Sequence, residues 1–239
     1  MTETMAPTGD PNARTQALLD RLRAFFFPGG ENGARLVRGV RTTQRGEFRA
    51  SPEAKWIPFT AEEEMDATRS GFRWDARLHA GRLGSTSVTD AYEAGHGRLV
   101  VRLGGLIPVK KLTGPELDQG EIQRYLGALP SCPAAMLNHG TLEWSAAGPA
   151  FLRVRDREDA TGSTVEIEID AEGRPLCSRA ERPRLAGKHA VLTPWWGGAT
   201  EFTEWEGLRV ASRLEASWLL PEGPFLYFRA EVTSFTALR

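Results

Sequence analysis

Three side chains in one predicted helix have the types and the spacing needed for acid–base chemistry. Asp118 and Glu121 are i,i+3 neighbours, and Tyr125 lies one further turn along. If this face borders a cavity, burial would raise the pKa of a carboxyl group and make it a general acid or a hydrogen-bond donor. The alternative is a solvated helix face, or a pairing with Arg124, which is the commoner role of such charges. Asp118, Glu121 and Tyr125 are therefore the candidate catalytic residues.

A second candidate for chemistry is a thiol between two prolines. Cys132 could be a nucleophile activated by His139, although a lone cysteine is more often a small core residue. Arg182 could bind a carboxylate, although arginines at strand ends usually face water. The histidines lack metal-ligand spacing and three of them lie in or near predicted turns, so we expect surface histidines and no metal site: His79, His96, His139 and His189.

Aromatic side chains indicate the class of ligand. The chain contains 7 Trp, 11 Phe and 3 Tyr, and large rings on the concave side of a sheet form an apolar, shape-selective pocket. Most of these rings are expected in the core, and a loop bounded by Pro194 and Gly197 is expected at the mouth of a pocket. The predicted ligand-binding residues are Phe72, Trp74, Tyr125, Cys132, Trp195, Trp196 and Trp218.

The elements that must position these residues are mostly strands. Apolar and polar residues alternate over short runs, as in Phe72, Trp74, Ala76 and Leu78, which is typical of a strand with one dry face. Turn residues separate predicted strands at about 35–50, 54–66, 71–80, 86–94 and 97–104, and again at about 141–147, 150–157, 163–170, 174–184, 198–206, 208–220 and 224–235. These are two meanders.

Two helices complete the prediction. Asp10 and Pro11 begin an amphipathic helix near 11–27, and Thr113 to Glu116 has the pattern of a capping box for a helix near 114–129. The sequence thus predicts a mainly β fold, a single large curved antiparallel sheet or half-barrel closed by an N-terminal and a central helix. Residues 1–10 are expected to be flexible and 11–239 to form one domain.

Composition narrows the possible partners. Lys plus Arg number 30 and Asp plus Glu 31, for a net charge of −1, so nucleic acid is not an expected partner. No phosphate-binding glycine loop or nucleophile elbow is present, and we expect no cofactor. Two cysteines without C-x-x-C spacing fit a reducing compartment, and the alternative is a single disulfide between Cys132 and Cys177. No signal peptide or membrane span is visible, so a cytoplasmic location is predicted.

Several segments carry a resemblance to known proteins. From about residue 15 to 236 the chain resembles a bacterial family of unassigned function, and its order of elements is similar to that of the periplasmic LolA-type lipoprotein carriers, which implies a half-barrel that holds acyl chains. The segments that carry the family resemblance are Trp56-Ile57-Pro58-Phe59-Thr60, Gly71-Phe72-Arg73-Trp74-Asp75-Ala76, Asp90-Ala91-Tyr92, Gly114-Pro115-Glu116-Leu117-Asp118, Arg124-Tyr125-Leu126, Thr193-Pro194-Trp195 and Trp218-Leu219-Leu220-Pro221-Glu222-Gly223.

One segment departs from the family pattern. After Arg124-Tyr125-Leu126, members usually continue with a glutamate and a tryptophan, whereas this chain continues with Gly127 and reaches Cys132 without either. If the helix covers the concave side, the change would leave space beneath Tyr125 and favour a ligand particular to this protein.

Two functions follow as open hypotheses. The first is a binding module that holds a bulky hydrophobic small molecule, lipid- or polyketide-like, without metal or nucleotide. The second is a cofactor-independent cyclase or isomerase of secondary metabolism acting on such a molecule, for example by a cycloaddition-type ring closure.

Overall fold

A single antiparallel sheet organises the molecule. The computed structural model describes residues 10–79, 86–105, 107–187 and 189–239, so the flexible N-terminal segment predicted at 1–10 lies outside the described residues except for Asp10. The strands are β1 (Gly39–Phe48), β2 (Ile57–Asp66), β3 (Phe72–Leu78), β4 (Thr86–Glu93), β5 (His96–Leu103), β6 (Ile107–Leu112), β7 (Leu142–Ala146), β8 (Phe151–Asp156), β9 (Val165–Ile169), β10 (Pro175–Ala186), β11 (His189–Trp205), β12 (Leu208–Leu220) and β13 (Gly223–Leu238). The helices are α1 (Pro11–Phe26), α2 (Pro115–Gly127) and α3 (Ala135–Asn138).

The sheet joins the two predicted meanders at one seam. Its spatial order is β6-β5-β4-β3-β2-β1-β13-β12-β11-β10-β9-β8-β7. Strand β1 pairs with both β2 and β13, so the first and last strands lie side by side at the centre. The sheet is curved and unclosed, with β6 and β7 at its edges, and the predicted mainly β half-barrel is confirmed. The expectation of a single domain over 11–239 stays a prediction.

The alternation in the sequence has the expected physical cause. In β9 the side chains of Val165, Ile167 and Ile169 are buried, whereas Glu166 and Glu168 between them are partly exposed. Successive side chains in a strand point to opposite faces, so this register places one face against the core.

Two strand predictions were wrong. The pairing of Glu181 with Pro194 and of Arg179 with Trp196 shows that β11 begins at His189, so Trp195 and Trp196 lie in a strand and not in a loop. Proline was taken as a breaker, yet it is tolerated in a strand where no ladder hydrogen bond from its nitrogen is needed. Strand β6 was missed because its side chains are largely exposed and show no buried alternation.

Both predicted helices are present. In α1 the Asp10 side chain accepts a hydrogen bond from the Asn12 backbone at 3.0 Å, and Leu18, Leu22 and Phe26 are buried. The capping box at the second helix was wrong. The N-cap of α2 is Gly114 with φ of 122°, a conformation that favours glycine, and no side chain caps this end.

Helix α2 closes the concave side of the half-barrel. It packs against β4 and β5 in one arm of the sheet and against β9 and β10 in the other. Among the described residues, no helix is both long and apolar enough to cross a membrane.

Candidate functional site

Helix α2 has two buried faces with different chemistry. Ile122, Tyr125 and Leu126 are fully buried in the hydrophobic core. A second stripe at helical spacing borders a cavity on the concave side of the sheet: Leu117, Gly120, Glu121, Arg124, Gly127 and Ala128. The core face holds the helix in place, and the second face presents charged side chains to the cavity.

The cavity is large and mostly apolar. Its volume is about 530 Å³, within the usual range of small-molecule sites. Both arms of the sheet contribute to its walls, so the curvature of the sheet creates it. The apolar lining includes Phe48, Trp74, Leu78, Val88, Leu99, Val101, Leu112, Leu117, Trp195, Leu214, Trp218, Tyr227 and Phe228.

A chain of polar contacts runs along one wall. Trp74 Nε1 donates to Gln44 Oε1 at 3.1 Å, and Gln44 Nε2 donates to Glu63 Oε2 at 2.7 Å. Arg124 donates to Glu63 Oε1 at 3.0 Å and, through Nη1, to Asp90 Oδ2. Such charge-assisted bonds satisfy most of these groups and fix the orientation of the guanidinium.

Three charged side chains in the cavity wall are not fully satisfied. Glu121 is 5% exposed, and its Oε2 has no hydrogen-bond partner among the described residues. Arg182 is 7% exposed; its Nη2 donates to the Gly120 carbonyl at 2.6 Å, whereas its Nε has no partner within the same ranges. The Asp90 Oδ1 atom is also buried without one. Burial, together with the charge of Asp90, raises the pKa of Glu121 to about 8.

Aromatic rings surround the Arg182 guanidinium. Its Cζ lies 4.7 Å from the centroid of Trp195 and 5.9 Å from that of Trp218. Trp195 Nε1 donates to the Tyr227 hydroxyl at 3.1 Å, and Trp218 stacks on Tyr227 with centroids 5.7 Å apart. The rings are therefore held by contacts with one another and do not rely on a ligand for their positions.

Four of the residues predicted for the site line the cavity: Trp74, Glu121, Trp195 and Trp218. The sequence pattern did not distinguish these four residues from the predicted site residues that lie outside the cavity. Trp74 and Trp195 each belong to a buried alternating face, while Glu121 lies one turn before the Tyr125 core position, at the border between the core stripe and the cavity stripe of α2.

The remaining predicted residues lie elsewhere. Tyr125 is fully buried and its hydroxyl donates to the Asp66 carbonyl at 2.8 Å, while Asp118 accepts from the Gly97 backbone at 2.7 Å. Phe72 lies in the core, beneath the Arg124 guanidinium at 4.4 Å. Cys132 is a core residue whose pKa burial raises to about 12, which does not favour a thiolate nucleophile. Trp196 points to the opposite face of β11 from Trp195 and is absent from the cavity lining.

Sequence reasoning missed the strand residues of the polar cluster. Glu63 occupies the buried register of β2, between the buried residues Ala61 and Met65. Asp90 occupies the corresponding face of β4, two residues from Tyr92. An acidic residue among the apolar positions of a strand could have been recognised in the sequence as a candidate site residue, because a buried charge needs a partner. Arg182 was considered, but it is buried and does not face water.

One histidine is also buried, contrary to prediction. His139 lies beside Asp156, Ser70 and Thr141, and the Ser70 and Thr141 hydroxyls each donate to Asp156 at 2.6 Å. The Ser70 hydroxyl lies 3.1 Å from His139 Nε2, and the Thr141 backbone donates to His139 Nδ1 at 3.4 Å. Since Ser70 gives its proton to the carboxylate, this cluster does not form a nucleophile–base pair, and none of its members lines the cavity.

The altered helix end is filled by a ring from the sheet. A Cβ atom on Gly127 would lie 3.0 Å from the Trp195 indole, and one on Gly197 would lie 2.5 Å from the same ring. The absence of side chains at the two glycines therefore leaves room for the Trp195 ring against the end of α2. Tyr125 is fully buried and does not line the cavity, whereas Gly127 and Ala128 at the altered helix end do line it.

The described residues contain no group of three His, Cys, Asp or Glu side chains that could hold a metal ion. Cys132 and Cys177 are both free thiols.

Comparison with known proteins gives a family and a fold. A family model described as "Family of unknown function (DUF6920)" matches residues 18–236. No curated protein matches the chain. A DUF1329 family protein from Desulfovibrio piger is similar in structure, with a TM-score of 0.52 and 7% identity over 96% of this chain and 94% of that one. A LolA superfamily protein from Nitrosomonas europaea has a TM-score of 0.49 and 9% identity, with 94% of each chain covered. At such identities the likeness concerns the fold alone.

Proposed function

Since the chain belongs to the DUF6920 family, whose function is unknown, we propose a function from its own site: it binds a bulky hydrophobic small molecule, lipid- or polyketide-like, in the concave cavity of the half-barrel. The observation that carries this proposal is the cavity of about 530 Å³ with aromatic and aliphatic walls. Water in such a space gains little from its walls, so an apolar ligand that displaces it lowers the free energy.

The alternative of a cyclase or isomerase has weaker support. Of its three candidate catalytic residues, Asp118 and Tyr125 have their polar atoms bound to backbone groups away from the cavity. Glu121 alone borders the cavity, and one carboxyl group also fits a binding role. Binding therefore accounts for the site with fewer assumptions. The cytoplasmic location stays a prediction.

The test fills the cavity and measures what the protein retains. Ala216 lies in β12 on the cavity wall, so Ala216→Phe should occupy part of the volume. Native mass spectrometry of freshly purified protein should show a bound small molecule in the unmodified chain and little in Ala216→Phe. Binding of a fluorescent apolar probe should be at least tenfold weaker in this variant, which is a change of about 1.4 kcal/mol in the free energy of binding.

The matched control is Ala17→Phe, which adds the same ring at an exposed position of α1. Equal probe binding by both variants, or no probe binding by the unmodified protein, would contradict a ligand site in this cavity.

A further inference from the structure

The enclosed part of the cavity holds one more acidic than basic side chain. Glu63 on β2, Asp90 on β4 and Glu121 on α2 face Arg124 on α2 and Arg182 on β10. The other charged residues of the lining are Lys110, Glu116 and Glu215; the first two are exposed and the third is half-buried, so solvent screens them more strongly. These three also include one more acid than base, so the imbalance is not corrected at the rim.

Contacts within the cluster leave the excess acid at Glu121. Arg124 is paired with Glu63 and with Asp90 Oδ2. Arg182 is bound to the Gly120 carbonyl and stacked on Trp195, and no ion pair within 4.0 Å joins it to an acid in the described ranges. Glu121 Oε2 and Asp90 Oδ1 therefore remain as two buried acceptors that have no donor among the described residues. Unmet acceptors of this kind are costly in an empty site and are met when a suitable ligand binds.

We propose that the ligand is an amphiphile with a protonated amine head, and that its ammonium group binds at Glu121 and Asp90 while its apolar part fills the aromatic cavity. This inference rests on the proposed function. An ammonium supplies several N–H donors and one positive charge, which matches two free acceptors and one excess acid. The aromatic walls also favour a cation, through attraction to the faces of the rings. With Glu121 ionised, the ammonium neutralises the one excess negative charge, whereas a carboxylate head would add a second negative charge and an alcohol head would leave the first without a counter-charge.

Proton release is a direct consequence of this assignment. In the free protein burial raises the pKa of Glu121 to about 8, so near neutral pH the group is largely protonated. A bound ammonium favours the ionised carboxylate, and Glu121 must then give up its proton. Below the pKa of Glu121, amine affinity should rise about tenfold per pH unit, and it should level off above that pKa.

The experiment compares three ligands with the same alkyl chain on the full protein: dodecylamine and dodecanoate below their micelle concentrations, and dodecanol below its solubility limit. Isothermal titration calorimetry at pH 6, 7 and 8, in buffers that differ in ionisation enthalpy, gives both affinity and protons released. We expect dodecylamine to bind at least tenfold more tightly than the other two at pH 8, with release of about one proton at pH 6 to 7.

A substitution then assigns the effect to one residue. Glu121→Gln should abolish the proton release and the pH dependence of amine binding. It should weaken the binding of dodecylamine at least tenfold at pH 8 and change the binding of dodecanol little. The control Glu204→Gln changes an exposed residue of β11 outside the cavity and should behave as the unmodified protein.

The outcomes separate the two proposals. Dodecanol or dodecanoate binding as tightly as dodecylamine, or amine binding without proton release, overturns the amine assignment and leaves the hydrophobic site in place. Failure of all three ligands, together with failure of the apolar probe, overturns the site itself. Both readouts come from the unmodified protein, so they hold even if Glu121→Gln does not fold.

Discussion

Two buried polar clusters lie beside neighbouring faces of α2 and differ in how well their members are satisfied. On the core face, where the Tyr125 ring lies 6.0 Å from that of His139, the Asp156 carboxylate accepts from Ser70 and Thr141. On the cavity face, Glu121 and Asp90 keep acceptor atoms for which the described residues offer no donor. The acceptors of the first cluster receive their donors from the protein, whereas two acceptors of the second receive none from the part of the chain that the structure describes.

This difference separates structural from functional burial. Buried polar groups are normally hydrogen-bonded, because an unmet donor or acceptor costs roughly 1–3 kcal/mol. The cluster of His139 and Asp156 follows the rule and ties the loop before β3 to β7 and β8. The Glu121 cluster departs from it next to a cavity, which is where departures of functional origin are expected.

The largest effect should come from removing the centre of the satisfied cluster. Asp156→Ala leaves two hydroxyl groups and the Glu158 backbone N–H without an acceptor, so we expect a loss of about 4 kcal/mol in the free energy of unfolding. Urea denaturation checks it, with Asp20→Ala on the exposed side of α1 as control. If the folded variant bound the apolar probe less well while its stability were unchanged, the two clusters would not have the separate roles described here.

The pH dependence of stability should have opposite signs for the two clusters. The pKa of Glu121 is raised to about 8, so the folded protein holds this proton more tightly than the unfolded chain does. Stability should therefore fall as the pH rises from about 5 to about 8, by roughly 3 kcal/mol. Glu121→Gln should remove this loss, which urea denaturation across the pH range would measure.

The satisfied cluster should instead be weakened by acid. Burial lowers the pKa of His139, so the unfolded chain takes up this proton first and stability is lost as the pH falls below about 6.5. Burial alone would raise the pKa of Asp156, but hydrogen bonds from Ser70, Thr141 and Glu158 lower it, which adds a further loss at more acid pH. This loss of stability at acid pH should persist in the Glu121→Gln variant. If it disappeared there, the two clusters would be coupled.

Much of the fold could be predicted from the sequence because local patterns determine it. Strand β12 lies at the predicted 208–220, and α1 begins at Pro11 with Asp10 as its N-cap, as predicted. The site was harder to predict, because the core face and the cavity face of α2 are neighbours at helical spacing and both carry buried side chains. Glu121 and Tyr125 are one turn apart and looked equivalent, yet one borders the cavity and the other lies in the core. Trp195 was misplaced in a loop since only the pairing of β10 with β11 reveals its strand.

A matched pair of tyrosines gives the smallest and most selective test of the two faces. Tyr125→Phe removes a donor to the Asp66 carbonyl in the core, and Tyr227→Phe removes the acceptor for Trp195 Nε1 at the cavity. Each loses one hydroxyl group, so any difference reflects location. Tyr125→Phe should lower the free energy of unfolding by about 1 kcal/mol and leave probe affinity unchanged.

Tyr227→Phe should do the reverse, because Tyr227 is only partly buried and its hydroxyl holds a cavity ring in place. We expect little change in stability and two- to fivefold weaker binding of the probe, which is about 0.4–1 kcal/mol in the free energy of binding. Urea denaturation and probe titration on both variants give the four values required. Should Tyr125→Phe alter binding more than Tyr227→Phe, the cavity face and the core face of α2 would have been assigned the wrong way round, and Tyr125 would return as a residue that contacts the ligand.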